Sequence, residues 1–345
     1  MAMALQPPER LRRVTEPRVT AIVVVHGSPA EIVRACVESL LDATGIDVSV
    51  VLVDNASPDA GAACAPWALH RRVELVTSVS NDGFAAGVKQ GLLRARGNDF
   101  VFLLNDDATV APDAIERCIA VLTSHPGAIA AAPRVMLADE PDRIDSIGVV
   151  VRPNGEAFNA YIGQRWTDQV ADGDDVFGPC FSAALMRADA FHGSVVGPLD
   201  ARYRLYYEDI DWDLRAQRAG WRTVAVPSAV VLHRHASSTR LMGEATRYEM
   251  VQRNLLLCAL KNFTIISALR VWVSRLVTHA KGTITGPYRV QRIRSIGRAV
   301  VDAPPMLLAR RRLPRTRART DAELFAYSLG MTPQFDADTY RSTSV

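Results

Sequence analysis

Short runs of apolar, largely β-branched residues alternate with amphipathic helical patterns across the first third of the chain. Four of these runs are candidates for buried strands: Val19 to Val25, Val48 to Val53, Val73 to Thr77 and Phe100 to Leu104. Continuous apolar runs of this length are typical of strands buried on both faces of a parallel sheet, with helices as the crossovers. The alternation therefore predicts an α/β fold with a Rossmann-like, mainly parallel central sheet flanked by helices.

Local signals also predict where several of the other elements begin and end. Ser28-Pro29-Ala30-Glu31 has the pattern of a capping box, so we expect a helix directly after the first strand. A second helix is expected from near Ile210 to Gly220, where the glycine would follow its last turn. Two strands, Trp221 to Val226 and Ala229 to His233, are expected next, and the chain beyond Ser238 has a helical pattern.

Composition narrows the class of protein. Of 345 residues, 48% are hydrophobic and 22% are charged, which is ordinary for a globular chain and excludes global disorder. The five cysteines are far apart and form no Cys-x-x-Cys pair, which favours a reducing cytoplasm over a disulfide framework. The first 18 residues lack the apolar core of a signal peptide, and charges interrupt the most apolar window, Asn254 to Val277. We expect a cytoplasmic protein without a transmembrane segment.

Acidic residues follow two of the predicted strands directly. Asp54 ends the second strand, and Asp106 and Asp107 follow the fourth. Ligands of open parallel sheets bind at the carboxyl ends of the strands, and buried carboxylates need a cation or hydrogen-bond donors. The alternative is a solvated turn in which Asp106 or Asp107 caps the helix that Pro112 opens.

The loop after the first strand argues against a dinucleotide-binding enzyme. A nicotinamide site needs Gly-x-Gly-x-x-Gly at this point, but the sequence from His26 to Glu31 contains one glycine. A Walker A motif is absent as well. If the sheet binds a nucleotide, carboxylates at the strand ends indicate that a metal ion contacts the phosphates.

A second acidic cluster precedes the predicted helix at Ile210. Glu208, Asp209, Asp211 and Asp213 lie within six residues, where the helix dipole favours negative charge. We assign that simple role to Asp211 and Asp213 but expect Glu208 and Asp209 to belong to an acidic cleft. His233 ends the last predicted strand, and the alternative to a ligand role is a structural histidine.

Taken in order, these segments resemble the family 2 glycosyltransferases of the GT-A fold, in particular the rhamnosyltransferase-like branch. The matching segments are Val53 to Ser57, Asn81 to Gly87, Leu103 to Asp107, Tyr207 to Asp211, Leu214-Arg215, Ala219 to Trp221 and Val226 to His233. Each motif is weak alone, whereas their shared order and spacing over residues 19 to 240 is specific. The resemblance implies a GT-A catalytic domain with a C-terminal helical extension.

The resemblance also implies a role for each matching residue. The nucleotide would be contacted by residues from four segments: Val25, His26, Asp54, Asn81, Gly83, Phe84, Gly87, Lys89, Asn105 and Asp106. Asp54 would hydrogen-bond the base or the ribose. Asp107 and His233 would bind a divalent cation, and Asp209, with Glu208 beside it, would be the catalytic base. Asn105 departs from the family pattern, which usually has aspartate at this position.

Coordination chemistry is consistent with these implied roles. Mg²⁺ or Mn²⁺ prefers about six hard ligands, which one carboxylate, one imidazole, two diphosphate oxygens and waters would supply. The imidazole slightly favours Mn²⁺. Transfer with inversion needs a base near the acceptor hydroxyl and a stabilised diphosphate leaving group, which fits Asp209 and the Asp107–His233 pair.

The chain divides into segments of different character. Residues 1 to 18 are expected to be a flexible N-terminus, and residues 19 to 240 a catalytic domain with a nucleotide-binding half to about residue 132 and an acceptor half from 133. Residues 241 to 345 form a helical, basic extension, in which Tyr288 to Thr320 holds ten arginines and one acid. This segment is either a solvated tail or a contact with an anionic membrane, and nucleic-acid binding is disfavoured because aromatic residues are not interleaved with the arginines.

The resulting hypothesis is an inverting glycosyltransferase that uses a nucleotide-diphosphate sugar, linked to dTDP, UDP or GDP, and a divalent cation. The acceptor is expected to be a glycan, on a cell-envelope or lipid-linked molecule, and the enzyme to lie at the inner face of the cell membrane. One alternative is a nucleotidyltransferase that makes the nucleotide-sugar, although the loop from His26 to Ser28 lacks the glycine-rich, basic pattern expected there. The other is a non-catalytic nucleotide- or membrane-binding module.

Overall fold

The structure is a computed structural model that describes residues 17–59, 61–192, 195–235, 242–313 and 318–334. The strands are β1 Val19–Val25, β2 Val48–Asp54, β3 Val73–Thr77, β4 Phe100–Asn105, β5 Ala108–Val110, β6 Ala128–Leu137, β7 Ile144–Ser146, β8 Val149–Val151, β9 Ala157–Asn159, β10 Asp175–Val176, β11 Ala183–Arg187 and β12 Arg222–His233. The α-helices are α1 Ala30–Leu41, α2 Phe84–Arg94, α3 Ala114–Ser124, α4 Glu208–Arg218, α5 Glu244–Asn262, α6 Ile265–Thr285, α7 Arg289–Arg310 and α8 Asp321–Ala326.

The central sheet has the strand order β10-β12-β6-β11-β4-β1-β2-β3, with β5 beside β12 and β7 beside β6. β4, β1, β2 and β3 are mutually parallel, β6 and β12 are parallel, and β11 runs antiparallel between these two groups. The predicted α/β fold with a mainly parallel central sheet is therefore confirmed. Parallel register aligns Val24 with Asn105 and Val25 with Asp54, so the polar residues that follow these strands emerge at one edge.

Hydrophobic burial explains why the first strands form where the sequence predicts them. β1 and β4 are buried along nearly their whole length, because helices cover both faces of the sheet. On α1 the buried residues recur at helical spacing: Val33, Cys36, Val37, Leu40 and Leu41. They join the core cluster beneath one face of the sheet, whereas Val88 of α2 packs on the other face.

Three local predictions need correction. Ser28 does not cap α1, for which Pro29 is the N-cap residue without a side-chain hydrogen bond. The two strands expected around Pro227 are one strand, β12, whose register with β6 shifts between Val226 and Val230. The shift accommodates a proline that has no N–H to donate to the ladder. The helix expected near Ile210 begins two residues earlier, at Glu208.

The C-terminal helices share a hydrophobic core with the catalytic body. Val149, Tyr203 and Tyr207 are buried in the same cluster as Leu255 of α5 and Met306 of α7. The helical character of the extension agrees with the prediction, but the boundary at residue 240 stays a prediction. Most of the expected flexible N-terminus, residues 1 to 16, lies outside the described residues. No helix in the described ranges is long and apolar enough to cross a bilayer.

Candidate active site

A cavity of about 560 Å³ opens at the edge of the sheet where β1 and β4 end. Its volume falls within the ~300–1,000 Å³ typical of small-ligand sites. Most of the residues predicted for the site line it: His26, Asn81, Gly83, Phe84, Asn105, Asp106, Asp107, Glu208, Asp209 and His233. The structure therefore brings together segments that are as far apart in the sequence as His26 and His233.

Four predicted nucleotide contacts lie outside this lining. Val25 is fully buried in the core, and the carboxylate of Asp54 accepts a hydrogen bond of 2.9 Å from the backbone N–H of Ser57. Gly87 lies where α2 packs closely on β1, since a Cβ there would lie 2.6 Å from a methyl group of Val24. Lys89 is exposed on α2. These residues shape or flank the site, and direct contact with a nucleotide stays a prediction for them.

The carboxylates after β4 do not cap the next helix. The short strand β5 lies between these two acids and α3, so neither of them is at the start of the helix. The N-cap residue of α3 is Asp113, whose side chain makes no capping hydrogen bond. Asp106 instead accepts a hydrogen bond of 2.5 Å from the hydroxyl of Ser28. Asp107 is 8% exposed and lies at the cavity wall. The capping alternative raised from the sequence is therefore wrong.

His233 reaches Asp107 because two strand ends are paired. β12 runs antiparallel to β5, and this register sets His233 opposite Ala108, the residue after Asp107. Nε2 of His233 lies 3.1 Å from Oδ1 of Asp107 and 3.3 Å from Nδ2 of Asn105. On the other side of the ring, Nδ1 lies 2.8 Å from Oδ2 of Asp145. The imidazole is thus held between two carboxylates.

The protonation of His233 reflects these neighbours. Burial disfavours the imidazolium, but the carboxylates of Asp107 and Asp145 outweigh burial and raise the pKa of His233 to about 10. Burial also opposes the ionised form of Asp145, yet His235 and His233 hold the pKa of Asp145 far below its usual value. In the absence of a cation, the ring carries a proton at neutral pH. A divalent ion between Asp107 and His233 would take the place of that proton.

The Asp107–His233 pair has the donor chemistry and spacing of a divalent-cation site. Two adjacent ligands of an octahedral ion, each about 2.1 Å from the metal, are about 3 Å apart. Oδ1 of Asp107 and Nε2 of His233 are separated by 3.1 Å. The hydrogen bond from the opposite ring nitrogen to Asp145 is the carboxylate–histidine arrangement that orients metal-bound imidazoles.

A different grouping, Asp145 with His233 and His235, also has potential ligand atoms within 4.8 Å of one another. Asp145 is fully buried and already accepts from Asn159 as well as facing both histidines. It does not line the cavity, whereas Asp107 and His233 do. The Asp107–His233 pair is thus the better candidate for an ion that must also contact a ligand in the cavity.

Glu208 and Asp209 begin α4 at the cavity wall. Tyr206 and Tyr207, which precede them, both have positive φ, so the chain turns sharply before the helix. Burial raises the pKa of Asp209 to about 6, and burial together with the charge of Asp209 raises the pKa of Glu208 well above its usual value. A carboxyl group poised near neutral pH is suited to accept a proton from a hydroxyl.

The predicted nucleotide loop contacts the segment that precedes this acidic pair. The backbone carbonyl of Arg204 accepts from the N–H of Ala85 at 3.2 Å, and Nη2 of Arg204 donates to the carbonyl of Asn81 at 2.9 Å. Nδ2 of Asn55 donates to Oδ1 of Asn81 at 3.1 Å. The position of the Asn81-to-Gly87 loop and the position of Glu208 and Asp209 are therefore linked.

The other two acids of the cluster have different surroundings from those predicted. Asp211 lies in the first turn of α4, but it is bound by Lys261 at 2.8 Å and by Arg215 at 3.0 Å, so it joins α4 to α5 by ion pairs. Asp213 is beyond the first turn and buried, and burial raises its pKa well above the usual value. Asp211 is in the first turn, where the helix dipole favours negative charge as predicted, and it forms ion pairs as well, whereas the dipole does not account for Asp213.

Sequence reasoning did not single out Asp145, Arg204 or Lys261. Asp145 lies between the apolar residues Ile144 and Ile147, in a stretch where strand patterns are weak. An acid at the centre of such an apolar segment, which must be paired when it is buried, is the signal that could have drawn attention to it. No comparable local signal marks Arg204 or Lys261, because their partners are distant in the sequence.

Comparisons with known proteins agree with this geometry. The model of glycosyl transferase family 2 matches residues 20–193, half of the chain. A curated relative from Mycobacterium tuberculosis (strain ATCC 25618 / H37Rv), N-acetylglucosaminyl-diphospho-decaprenol L-rhamnosyltransferase, is 29% identical over an alignment of 247 residues that covers 64% of this chain and 78% of the relative.

Two solved structures have the same fold. Residues 1–349 of TarS from S. aureus superimpose with a TM-score of 0.53 at 12% identity, over 84% of this chain and 82% of that one. The mannosyltransferase PcManGT from Pyrobaculum calidifontis, in complex with GDP-Man and Mn²⁺, gives a TM-score of 0.51 at 15% identity, over 85% and 87%. The predicted GT-A fold is confirmed. The chain belongs to glycosyl transferase family 2 and is a glycosyltransferase.

Proposed function

We propose that this glycosyltransferase moves a sugar, with inversion, from a nucleotide-diphosphate donor to a hydroxyl of a lipid-linked glycan. The observation that carries the proposal is the pairing of Asp107 with His233, 3.1 Å apart, in the same cavity wall as Asp209. A cation-binding pair beside a carboxyl group of raised pKa supplies what displacement of a diphosphate requires, a stabilised leaving group and a base.

The residues of the site take distinct parts in this reaction. Asp107 and His233 would hold a divalent cation, which would neutralise the charge that develops on the departing diphosphate. Asp145 keeps the ring of His233 oriented through its hydrogen bond of 2.8 Å to Nδ1. The hydroxyl of Ser28 holds Asp106 in place beside this pair.

Asp209 is the proposed base. Its pKa of about 6 leaves it ionised at neutral pH while keeping it basic enough to remove a proton from the acceptor hydroxyl as the sugar is transferred. Glu208 lies beside it, and burial together with the charge of Asp209 raises the pKa of Glu208 well above its usual value.

We propose L-rhamnose, carried on dTDP, as the first donor to test, with UDP- and GDP-linked sugars next. The support is the Mycobacterium tuberculosis relative, whose name describes rhamnosyl transfer to N-acetylglucosaminyl-diphospho-decaprenol. A lipid-linked acceptor also places the reaction at a membrane, so we propose that the protein works at the inner face of the cell membrane and contacts it peripherally. Mn²⁺ is the cation proposed first, because an imidazole is among the ligands.

A transfer assay tests the proposal. Purified full-length protein would be incubated with Mn²⁺, each nucleotide-sugar and a synthetic N-acetylglucosaminyl-diphospho-polyprenol, and the glycolipid product measured. Asp209→Asn should reduce turnover by about 10²–10⁴-fold while leaving nucleotide affinity nearly unchanged. Asp189→Asn is the matched control, since Asp189 is an exposed aspartate outside the cavity. Unchanged turnover in Asp209→Asn would remove Asp209 from the mechanism.

A further inference from the structure

Helix α6 carries its large apolar residues on the side that faces solvent. Seven of them are 44–72% exposed: Ile265, Ile266, Leu269, Val273, Leu276, Val277 and Ile284. At 3.6 residues per turn these positions fall within an arc of about 120°. The opposite side of the helix, which contacts the protein, is formed by Ala268, Val271, Arg275 and His279, all buried. The helix is therefore amphipathic, with its more apolar side outward.

Helix α7 shows the same arrangement. Six large apolar residues are 43–75% exposed along it: Val290, Ile293, Val300, Val301, Leu307 and Leu308. They too share an arc of about 120°, while Ser295, Ala299 and Met306 are buried against the protein. Among the described residues, few other large hydrophobic side chains are exposed, so this apolar surface is concentrated on two helices. Continuous exposed apolar surface of this kind marks an interaction site.

Positive charge borders these apolar residues. Arg270 and Lys281 are exposed at one edge of the arc on α6, and Arg294 and Arg298 are exposed at the corresponding edge on α7. Helix α6 contains no acidic residue. The single acid of α7, Asp302, accepts a hydrogen bond of 2.8 Å from Arg253 of α5. Apolar residues flanked by cations are the pattern of helices that lie in a membrane interface.

We propose that these exposed residues of α6 and α7 form one docking surface for an anionic lipid bilayer. The apolar side chains would enter the boundary between headgroups and acyl chains, and the arginines and Lys281 would contact lipid phosphates. A second copy of the chain fits this surface less well, because arginines would meet arginines and the single acid of the two helices, Asp302, is already bound by Arg253. Helix α7 belongs to the basic segment predicted from the sequence, but α6 supplies most of the apolar residues of the surface.

The docking surface lies close to the cavity. Arg275, on the inner side of α6, donates to Glu156 at 2.7 Å, and Glu156 lines the cavity. Val271 packs beside Leu255, another lining residue, against Gly155. One helix diameter, about 10–12 Å, therefore separates the apolar surface from the cavity wall. If the acceptor is lipid-linked, as proposed above, its lipid would lie in the bilayer beside the docking surface. Its sugar would then be within reach of the cavity of the same protein molecule.

Vesicle flotation without any substrate tests the surface independently of the proposed reaction. Full-length protein would be mixed with vesicles of phosphatidylcholine alone or with added phosphatidylglycerol. We expect wild type to float with the anionic vesicles, and the triple substitution Leu269→Gln, Val273→Gln, Leu276→Gln to lower the bound fraction about tenfold or more. The matched control replaces Leu69, Leu93 and Leu329, exposed leucines elsewhere, with glutamine and should bind like wild type.

Circular dichroism and a cooperative thermal unfolding transition identify variants that remain folded. Equal flotation of wild type and the triple variant, or wild-type binding that does not depend on phosphatidylglycerol, would overturn the proposal. So would a wild-type dimer in analytical ultracentrifugation that the triple variant dissociates, since the surface would then join two copies. Loss of transfer activity has no bearing on flotation, so failure of the proposed reaction and failure of this surface are distinguishable.

Discussion

Nε2 of His233 lies 3.1 Å from Oδ1 of Asp107, although 126 residues separate them in the chain. The contact exists because β12 pairs with the three-residue strand β5, which directly follows Asp107. The site is thus completed by β12, more than one hundred residues along the chain from Asp107. Both predicted metal ligands depend on this one pairing.

Asp145 is predicted to position His233, since it accepts from the ring nitrogen opposite the proposed metal. We expect Asp145→Asn to weaken Mn²⁺ affinity about 10–100-fold, as is typical of partners that orient metal ligands. Turnover measured against Mn²⁺ concentration should recover at high Mn²⁺, which a variant that merely misfolds would not show. Asp189→Asn serves as the control, and an unchanged Mn²⁺ requirement in Asp145→Asn would contradict the positioning role.

The pH dependence of turnover should report the acidic pair. Burial raises the pKa of Asp209 to about 6, and the base acts only when it is ionised. Turnover at saturating substrate and Mn²⁺ should therefore fall about tenfold per pH unit below that value and reach a plateau above it. Thermal unfolding across the same range would show whether the protein stays folded. A flat profile through pH 6 would exclude an essential base with this pKa.

Gly83 is predicted to be essential to the contact between the nucleotide loop and the segment before α4. Its φ is +94°, and an added Cβ would lie 2.4 Å from the backbone carbonyl oxygen of Arg204. Gly83→Ala should lower both nucleotide affinity and turnover, because Arg204 and the acidic pair must move. Gly97→Ala is a close control, with a φ of +83° and no atom within 4 Å of the added Cβ. Equal effects of the two substitutions would mean that backbone strain, and not the contact, is responsible.

Lys261 is expected to stabilise the junction between α4 and α5. Its ammonium group is buried 2.7 Å from Asp200 and 2.8 Å from Asp211. Lys261→Met would leave both carboxylates without this cation and should lower the free energy of unfolding by about 3–5 kcal/mol. Lys89→Met, at an exposed lysine, should change it little. Urea denaturation measures both, and equal stability of the two variants would contradict the prediction.

The sequence was most informative where local patterns decide the structure. The strand ends at Asp54 and Asn105 follow from apolar runs that stop abruptly, and the order of these motifs was enough to predict the fold. The GT-A fold and the glycosyltransferase class are confirmed by the comparisons. The start of α4 was placed two residues late, since Glu208 and Asp209 look like a loop by composition but begin the helix.

Contacts between residues that are far apart in the chain could not be predicted from the sequence. Asp145 faces His233 across 88 residues, through strands that are only a few residues long. Ser28 has the pattern of a helix cap, yet Pro29 is the N-cap residue of α1, and the hydroxyl of Ser28 donates to the buried carboxylate of Asp106. The exposure of the apolar side of α6 could not be predicted either. Periodicity shows that a helix has an apolar side, but not whether that side faces the core or the solvent.

The proposal that Asp107 and His233 hold a divalent cation beside the nucleotide is tested by whether nucleotide binding depends on the metal. Thermal shift would be measured for wild type, Asp107→Asn and His233→Ala with dTDP, UDP or GDP, in Mn²⁺ or in EDTA, with His192→Ala as an exposed histidine control. We expect at least one nucleotide to raise the Tm of wild type and of the control in Mn²⁺, EDTA to remove the shift, and both site variants to lack it. A shift that persists in EDTA or in both variants, or no shift with any nucleotide, would contradict the proposal.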